Sequence, residues 1–132
     1  MYGRPFMRSP VKRTGKWAVS YNDYPMTFFP PYVSGNSYII SGNIATKLFM
    51  VSPYMPYLHL EDVFITGILR VIIAATLTPR RGFTWVGDKA MEPCKFMKVD
   101  YISGTVQNIS LMEKMWVIQQ DFPRSCFITY KM

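Results

Sequence analysis

Histidine occurs once and cysteine twice in these 132 residues, so four-ligand Cys/His zinc spacing is missing. Acidic residues are also scarce: eight Asp and Glu stand against fifteen Lys and Arg, a net charge of +7 that favours an anionic partner. The cations are scattered, with Arg8, Lys12, Arg13 and Lys16 as the densest group and Arg80–Arg81 as a second. Without a basic stripe, nucleic acid is not expected as a partner. Residues 1–16 lack the apolar core of a signal peptide. The longest apolar run, residues 63–77, is too short for a membrane span and carries Arg70 near its centre. No internal repeat, low-complexity tract or second domain is visible.

What is present is a globular composition, 49% hydrophobic and 16% aromatic, which predicts a single domain over residues 1–132 with a real core. Cys94 and Cys126 allow one bridge or two buried thiols, and two cysteines do not fix the redox compartment.

The chain is organised around Leu60-Glu61-Asp62-Val63-Phe64-Ile65-Thr66-Gly67. Between residues 63 and 77 only Thr66, Arg70 and Thr76 are polar, which predicts a buried helix over 62–73 running into a strand. A carboxylate at a helix start is stabilised by unpaired amides and by the positive end of the dipole. Asp62 is therefore both a capping candidate and a candidate base.

Around that helix the spacing predicts a basic, extended residues 1–15, with Pro5 and Pro10 opposing regular structure, and a strand over 16–21 with Trp17, Val19 and Tyr21 on one face. Pro25, Pro30 and Pro31 stiffen a loop. Ser34-Gly35-Asn36 reads as a turn, residues 37–40 as a buried strand, and 43–50 as a helix with Ile44, Leu48 and Phe49 inward. Pro53 and Pro56 bracket the loop that leads to the acidic pair. Further on come a turn at 78–82, a strand over 83–86 and a helix over 110–120 with Ser110 and Glu113 as capping box. Leu111, Met112, Met115 and Trp116 are its inner face, and 126–130 reads as a terminal strand. Trp17, Trp85 and Trp116 are expected in the core rather than as sugar platforms. Asn108-Ile109-Ser110 fits the N-glycosylation pattern.

Five segments in order carry a resemblance: Lys16-Trp17-x-Val19-Ser20, Tyr24-Pro25, Pro30-Pro31-Tyr32-x-Ser34-Gly35, Tyr38-Ile39-Ile40-Ser41 and Glu61-Asp62-Val63. With Glu113, Met115 and Trp116 in a distal helix, residues 16–116 resemble the C-terminal half of the β-1,3-galactosyltransferase-like enzymes, family 31 of the glycosyltransferases. The resemblance implies an α/β fold, the acceptor-side half of a GT-A-type domain. It also implies a UDP-sugar donor, Mn2+, a glycan acceptor and transfer of a hexose with inversion. The implied setting is the Golgi lumen, with membrane attachment only through an N-terminal anchor outside these residues. Asp62 is similar in position to the family's general base, and Glu61 would orient the site or bind acceptor hydroxyls. Tyr32, Ser34, Gly35 and Asn36 would form a stiff wall beside it, and His59 would be structural or on the acceptor side.

The chain departs from the family pattern in three places. No Asp-x-Asp occurs, so no metal ligand is assigned; Thr105 stands where many members carry a metal-binding histidine; and Val33 replaces a frequent cysteine, which would leave Cys94 without its usual partner. Two readings follow, the acceptor and base half of a β-1,3-hexosyltransferase or a non-catalytic glycan- or partner-binding remnant of that fold. Either implies an incomplete sheet with an uncovered edge.

Overall fold

The structure, a computed structural model, describes residues 1–83, 92–97, 101–106, 108–122 and 124–127. They fall into two compact units, Met1–Arg80 and Arg81–Met132.

The first unit is α/β. Its sheet has the order β2-β1-β3, with β1 at Tyr2–Phe6, β2 at Tyr32–Ile39 and β3 at Thr78–Pro79. β1 runs antiparallel to β2 and parallel to β3, whose Thr78 N–H donates to Met1 O over 2.7 Å. On β1 the step from Gly3 to Pro5 moves the partner on β2 from Tyr38 to Val33, three residues further than an even ladder would. Pro5, which has no N–H to give, sits where the ladder breaks. The predicted turn at Ser34-Gly35-Asn36 is therefore a bulge inside β2, not a separate turn. The strand expected over 37–40 is the end of β2, and its Ile39 is exposed, not buried.

No strand forms over 16–21, because Arg13 takes the carbonyls that a ladder would need. Its guanidinium donates to the carbonyl oxygens of Val19, Ser20, Tyr24 and Met26 at 2.7–3.1 Å and lies 3.8 Å from the Tyr21 ring centroid. Of the three residues assigned to one inner face, Val19 is buried while Trp17 and Tyr21 are exposed. The proline loop is a loop, as expected, joined to the N-terminal segment through Val11 N–H to Thr27 O and Phe29 N–H to Ser9 O.

Helix α1 spans Gly42–Val51 and buries Leu48, with Ile44 half-buried; Phe49 points to solvent at 77% exposure, against expectation. A 3-10 turn, Ser52–Tyr54, follows. The apolar run then folds as a π-helical segment, Val63–Leu69, continued by α2, Arg70–Ile72. The Arg70 N–H reaches back to Ile65 O, five residues earlier, as well as to nearer carbonyls. A π-turn inside a helix is rare and frequently marks a functional site. The helix stops at Ala74, whose φ is +51°, and the chain turns into β3. Val63, Phe64 and Leu69 pack with Val19, Phe29, Leu48 and Leu58 as the core of this unit.

In the second unit, Phe83 bridges Ser103 in parallel, and the rest of the strand expected over 83–86 lies outside the described residues. Helices α3 (Pro93–Met97), α4 (Ile109–Gln120) and α5 (Arg124–Phe127) follow. The Asn108 side chain caps α4 by accepting from Leu111 N–H at 3.0 Å, so the cap lies two residues before the expected Ser110. Met115 is the buried residue of α4; Met112 and Trp116 are exposed, and the core placement holds for neither Trp17 nor Trp116. Trp85 lies outside the described residues. Cys126 begins no strand: it lies in α5 and forms a disulfide with Cys94, Cα to Cα 5.4 Å, so Cys94 does have a partner. Among the described residues no helix is long and apolar enough to cross a membrane.

Candidate functional site

The bulge in β2 and the start of the π-helical segment meet at Asp62. One carboxylate oxygen, Oδ1, accepts the Val63 N–H and the other, Oδ2, the Gly35 N–H, both at 2.9 Å. Gly35 is needed there: a Cβ on it would lie 3.1 Å from Asp62 Oδ2 and 3.2 Å from Asp62 Cβ. Two residues earlier on the same strand, the Val33 N–H donates to Thr66 Oγ1 at 3.0 Å, and the Thr66 hydroxyl donates to the Asp62 carbonyl at 2.5 Å. Thr66 is fully buried, at 0% exposure, so its hydroxyl must be satisfied internally, and it is. Arg70 extends the lock, donating to Thr66 O at 2.9 Å and Pro31 O at 3.1 Å. The expected uncovered edge is therefore closed along this stretch of β2, where helix-start oxygens take the strand's amides.

A partly exposed carboxylate held in this way still has acceptor capacity. An ionised carboxylate offers about four lone-pair sites, and backbone amides take two of them here. Glu61 is exposed and receives a hydrogen bond from the Tyr38 hydroxyl. Tyr38 is held well above the ordinary phenol range, first by burial, then by its bond to Glu61 and by the charges of Glu61 and Asp62. Glu61 thus has one oxygen fixed by Tyr38, and an ionised carboxylate carries acceptor sites beyond that one bond.

The structure brings together some of the expected site residues. Gly35 touches Asp62 directly, and half-buried Ser34 and exposed Asn36 flank it in the bulge. Tyr32 is not an open wall: its ring stacks on Phe6 at 5.3 Å and meets the edge of Phe29 at 6.2 Å. Burial pushes its phenol up, its bond with Ser9 lowers it, and the Asp62 charge raises it again. His59 is exposed on the loop before the acidic pair, and no bond or ring contact joins it to that pair among the described residues. Sequence reasoning assigned no role to Tyr38, Thr66 or Arg70. A signal for two of them was there, since Thr66 and Arg70 are polar residues in an otherwise apolar run.

A family model described as Galactosyltransferase matches residues 1–78 of this chain. The chain belongs to the galactosyltransferase family. Its match to human beta-1,3-galactosyltransferase 5 is 46% identical over 57 residues, 42% of this chain and 18% of that protein. The Drosophila melanogaster beta-1,3-galactosyltransferase brn is 33% identical over 64 residues, 48% of this chain and 20% of that protein. The rat UDP-GalNAc:beta-1,3-N-acetylgalactosaminyltransferase 1 is 38% identical over 47 residues, 36% of this chain and 14% of that protein. The chain spans about a fifth or less of the length of these curated relatives. The family match covers nearly all of the first unit, including the Asp62 lock, and stops short of the second.

The manganese ion implied by the resemblance does not fit the residues described. Among them, no three His, Cys, Asp or Glu side chains converge. A hard divalent cation needs several oxygen ligands, and a lone carboxylate pair such as Glu61 and Asp62 supplies too few.

Proposed function

We propose that this chain carries the acceptor side of an inverting β-1,3-hexosyltransferase, with Asp62 as the general base. The observation that carries the reading is the double amide clamp on Asp62 in a chain of this family. A base must be held within hydrogen-bond reach of the proton it removes. The clamp from Gly35 and Val63 fixes the carboxylate while leaving acceptor capacity on it. In the step, an acceptor hydroxyl oxygen bonds to the anomeric carbon of the donor sugar. The bond from that carbon to the phosphate oxygen breaks, UDP leaves with the electron pair, and the hydroxyl proton passes to Asp62. Glu61, oriented by Tyr38, binds a neighbouring hydroxyl of the glycan acceptor.

The UDP-sugar and its metal are assigned to parts of the family architecture outside the matched stretch, in a GT-A-type domain. The Golgi lumen is the proposed location, and the Cys94–Cys126 disulfide supports an oxidising compartment of that kind. The competing reading is a non-catalytic glycan-binding remnant, in which Asp62 only locks the bulge to the helix.

Turnover separates the two readings, measured in an intact family transferase in which this chain replaces the matching stretch. Asp62→Asn should lower turnover by about 100- to 10,000-fold while donor binding persists. Melting alone does not decide. Asparagine has one acceptor oxygen, so its NH2 would face either the Gly35 or the Val63 N–H, and stability falls on both readings. Turnover within about threefold of the parent would leave Asp62 as a lock only. Glu61→Gln should act mainly through the KM for the acceptor.

A further inference from the structure

Exposed aromatic rings near the acidic pair are candidates for sugar contact, and their surroundings separate them. Tyr32 is packed between Phe6 and Phe29. Tyr54 is 85% exposed on the 3-10 turn, with no ring partner among the described residues. Tyr57 is 76% exposed, yet its ring meets Phe64 edge-on, with centroids 5.9 Å apart and planes at 61°. Phe64 is buried in the core and its N–H is bonded to Leu60 O at 2.8 Å. Tyr57 precedes Glu61 and Asp62 in the chain, and the ring it meets, Phe64, follows them. The result is an exposed ring held by a buried anchor, on the loop that leads into the carboxylate pair. A tyrosine loses little conformational entropy when it is ordered in this way.

We propose that Tyr57 is a stacking platform for the acceptor sugar, a pyranose with an apolar C–H face such as a β-galactoside, set beside Glu61 and Asp62. This rests on the reading of the site as the acceptor side. The negative face of the ring attracts the polarised C–H hydrogens of the sugar's flat side, while the hydroxyls on the sugar's rim reach the Glu61 carboxylate.

Binding, with no donor and no transfer, tests the platform separately from the base. Methyl β-D-galactopyranoside is titrated into the 132-residue chain, with affinity and the saturated sugar protons read by NMR. Tyr57→Ala should bind roughly two- to tenfold more weakly and lose saturation on the C–H face. Tyr57→Phe should bind like the parent. Tyr57→Leu retains apolar cover over Phe64 without an aromatic face, and it should behave like the alanine variant with its melting temperature preserved. Tyr54→Ala should change nothing. Unchanged binding in Tyr57→Leu, equal loss in Tyr54→Ala, or no saturable binding by the parent up to the solubility of the probe would each overturn the platform. Unchanged binding in Tyr57→Leu together with loss of turnover in Asp62→Asn would overturn the platform and spare the base.

Discussion

The two units hold themselves together by different means. Met1–Arg80 relies on buried apolar contacts and on polar side chains that answer backbone groups: Arg13 for four carbonyls, Thr66 and Asp62 for two strand amides, Arg70 for the end of its helix. Arg81–Met132 has a covalent tie, Cys94–Cys126, together with a helix that leaves Ile109, Met112, Trp116 and Val117 exposed. Among its described residues few apolar side chains are buried, and such a unit gains most from a restriction on its unfolded state. The unit that carries the acidic pair is built instead from interlocking hydrogen bonds, which hold a side chain in one place as well as holding the fold.

The largest expected break in that comparison is chemical. Reducing the disulfide removes a restraint across 32 residues of sequence separation. A closed loop of that size contributes about 3–4 kcal/mol in the chain-entropy picture. Hydrogen exchange should show amides of α3 and α4 losing protection while those of Val33, Gly35 and Val63 keep theirs. Equal loss in both units would erase the distinction.

Next in size is Thr66→Val, which keeps the shape but leaves the Val33 N–H and the Asp62 carbonyl without the hydroxyl between them. A buried group left unsatisfied costs about 1–3 kcal/mol, and thermal melting should fall accordingly, with Thr66→Ser recovering most of the loss. A value close to that of the parent would mean that the lock is incidental.

A smaller effect is expected at the cap of α4. Asn108→Ala removes the acceptor for the Leu111 N–H and should cost about 1 kcal/mol, read as reduced protection of the first turn.

The smallest effect is the alkaline dependence of the acidic site. The folded Tyr38 phenol ionises above its ordinary range, and the unfolded one near 10. Between those values the native state binds more protons, so this stability is complete below pH 10 and falls as the pH rises beyond it. Tyr38→Phe should flatten that part of the decline in a pH series of melting curves. An unchanged slope would assign the decline to Tyr24 and Tyr32, which burial also raises.

The apolar run after Asp62 announced a buried helix because its side-chain pattern is local. The same holds for α1 and α4, whose predicted spans lie within a residue of those observed. The strand over 16–21 failed for a non-local reason: Trp17, Val19 and Tyr21 alternate correctly, but the Arg13 guanidinium holds the Val19 and Ser20 carbonyls. The inward placement of Phe49, Met112 and Trp116 failed because periodicity names a helix's apolar face without saying how much of it a neighbour covers.

The sequence by itself determined the α/β class, the position of the acidic pair at a helix start, and the family, since these depend on short-range pattern and ordered motifs. Only the tertiary structure decided what the pair does to its surroundings. Ser34-Gly35-Asn36 has the composition of a turn, yet β1 pairs on both sides of it and forces it into a bulge. That bulge carries the Gly35 N–H to Asp62, which lies 27 residues further along the chain. The physical reason is that a hydrogen bond between distant segments has no periodicity. Its partners are fixed by the register of a sheet and the seating of a helix, and neither is written in the spacing of the residues that form it.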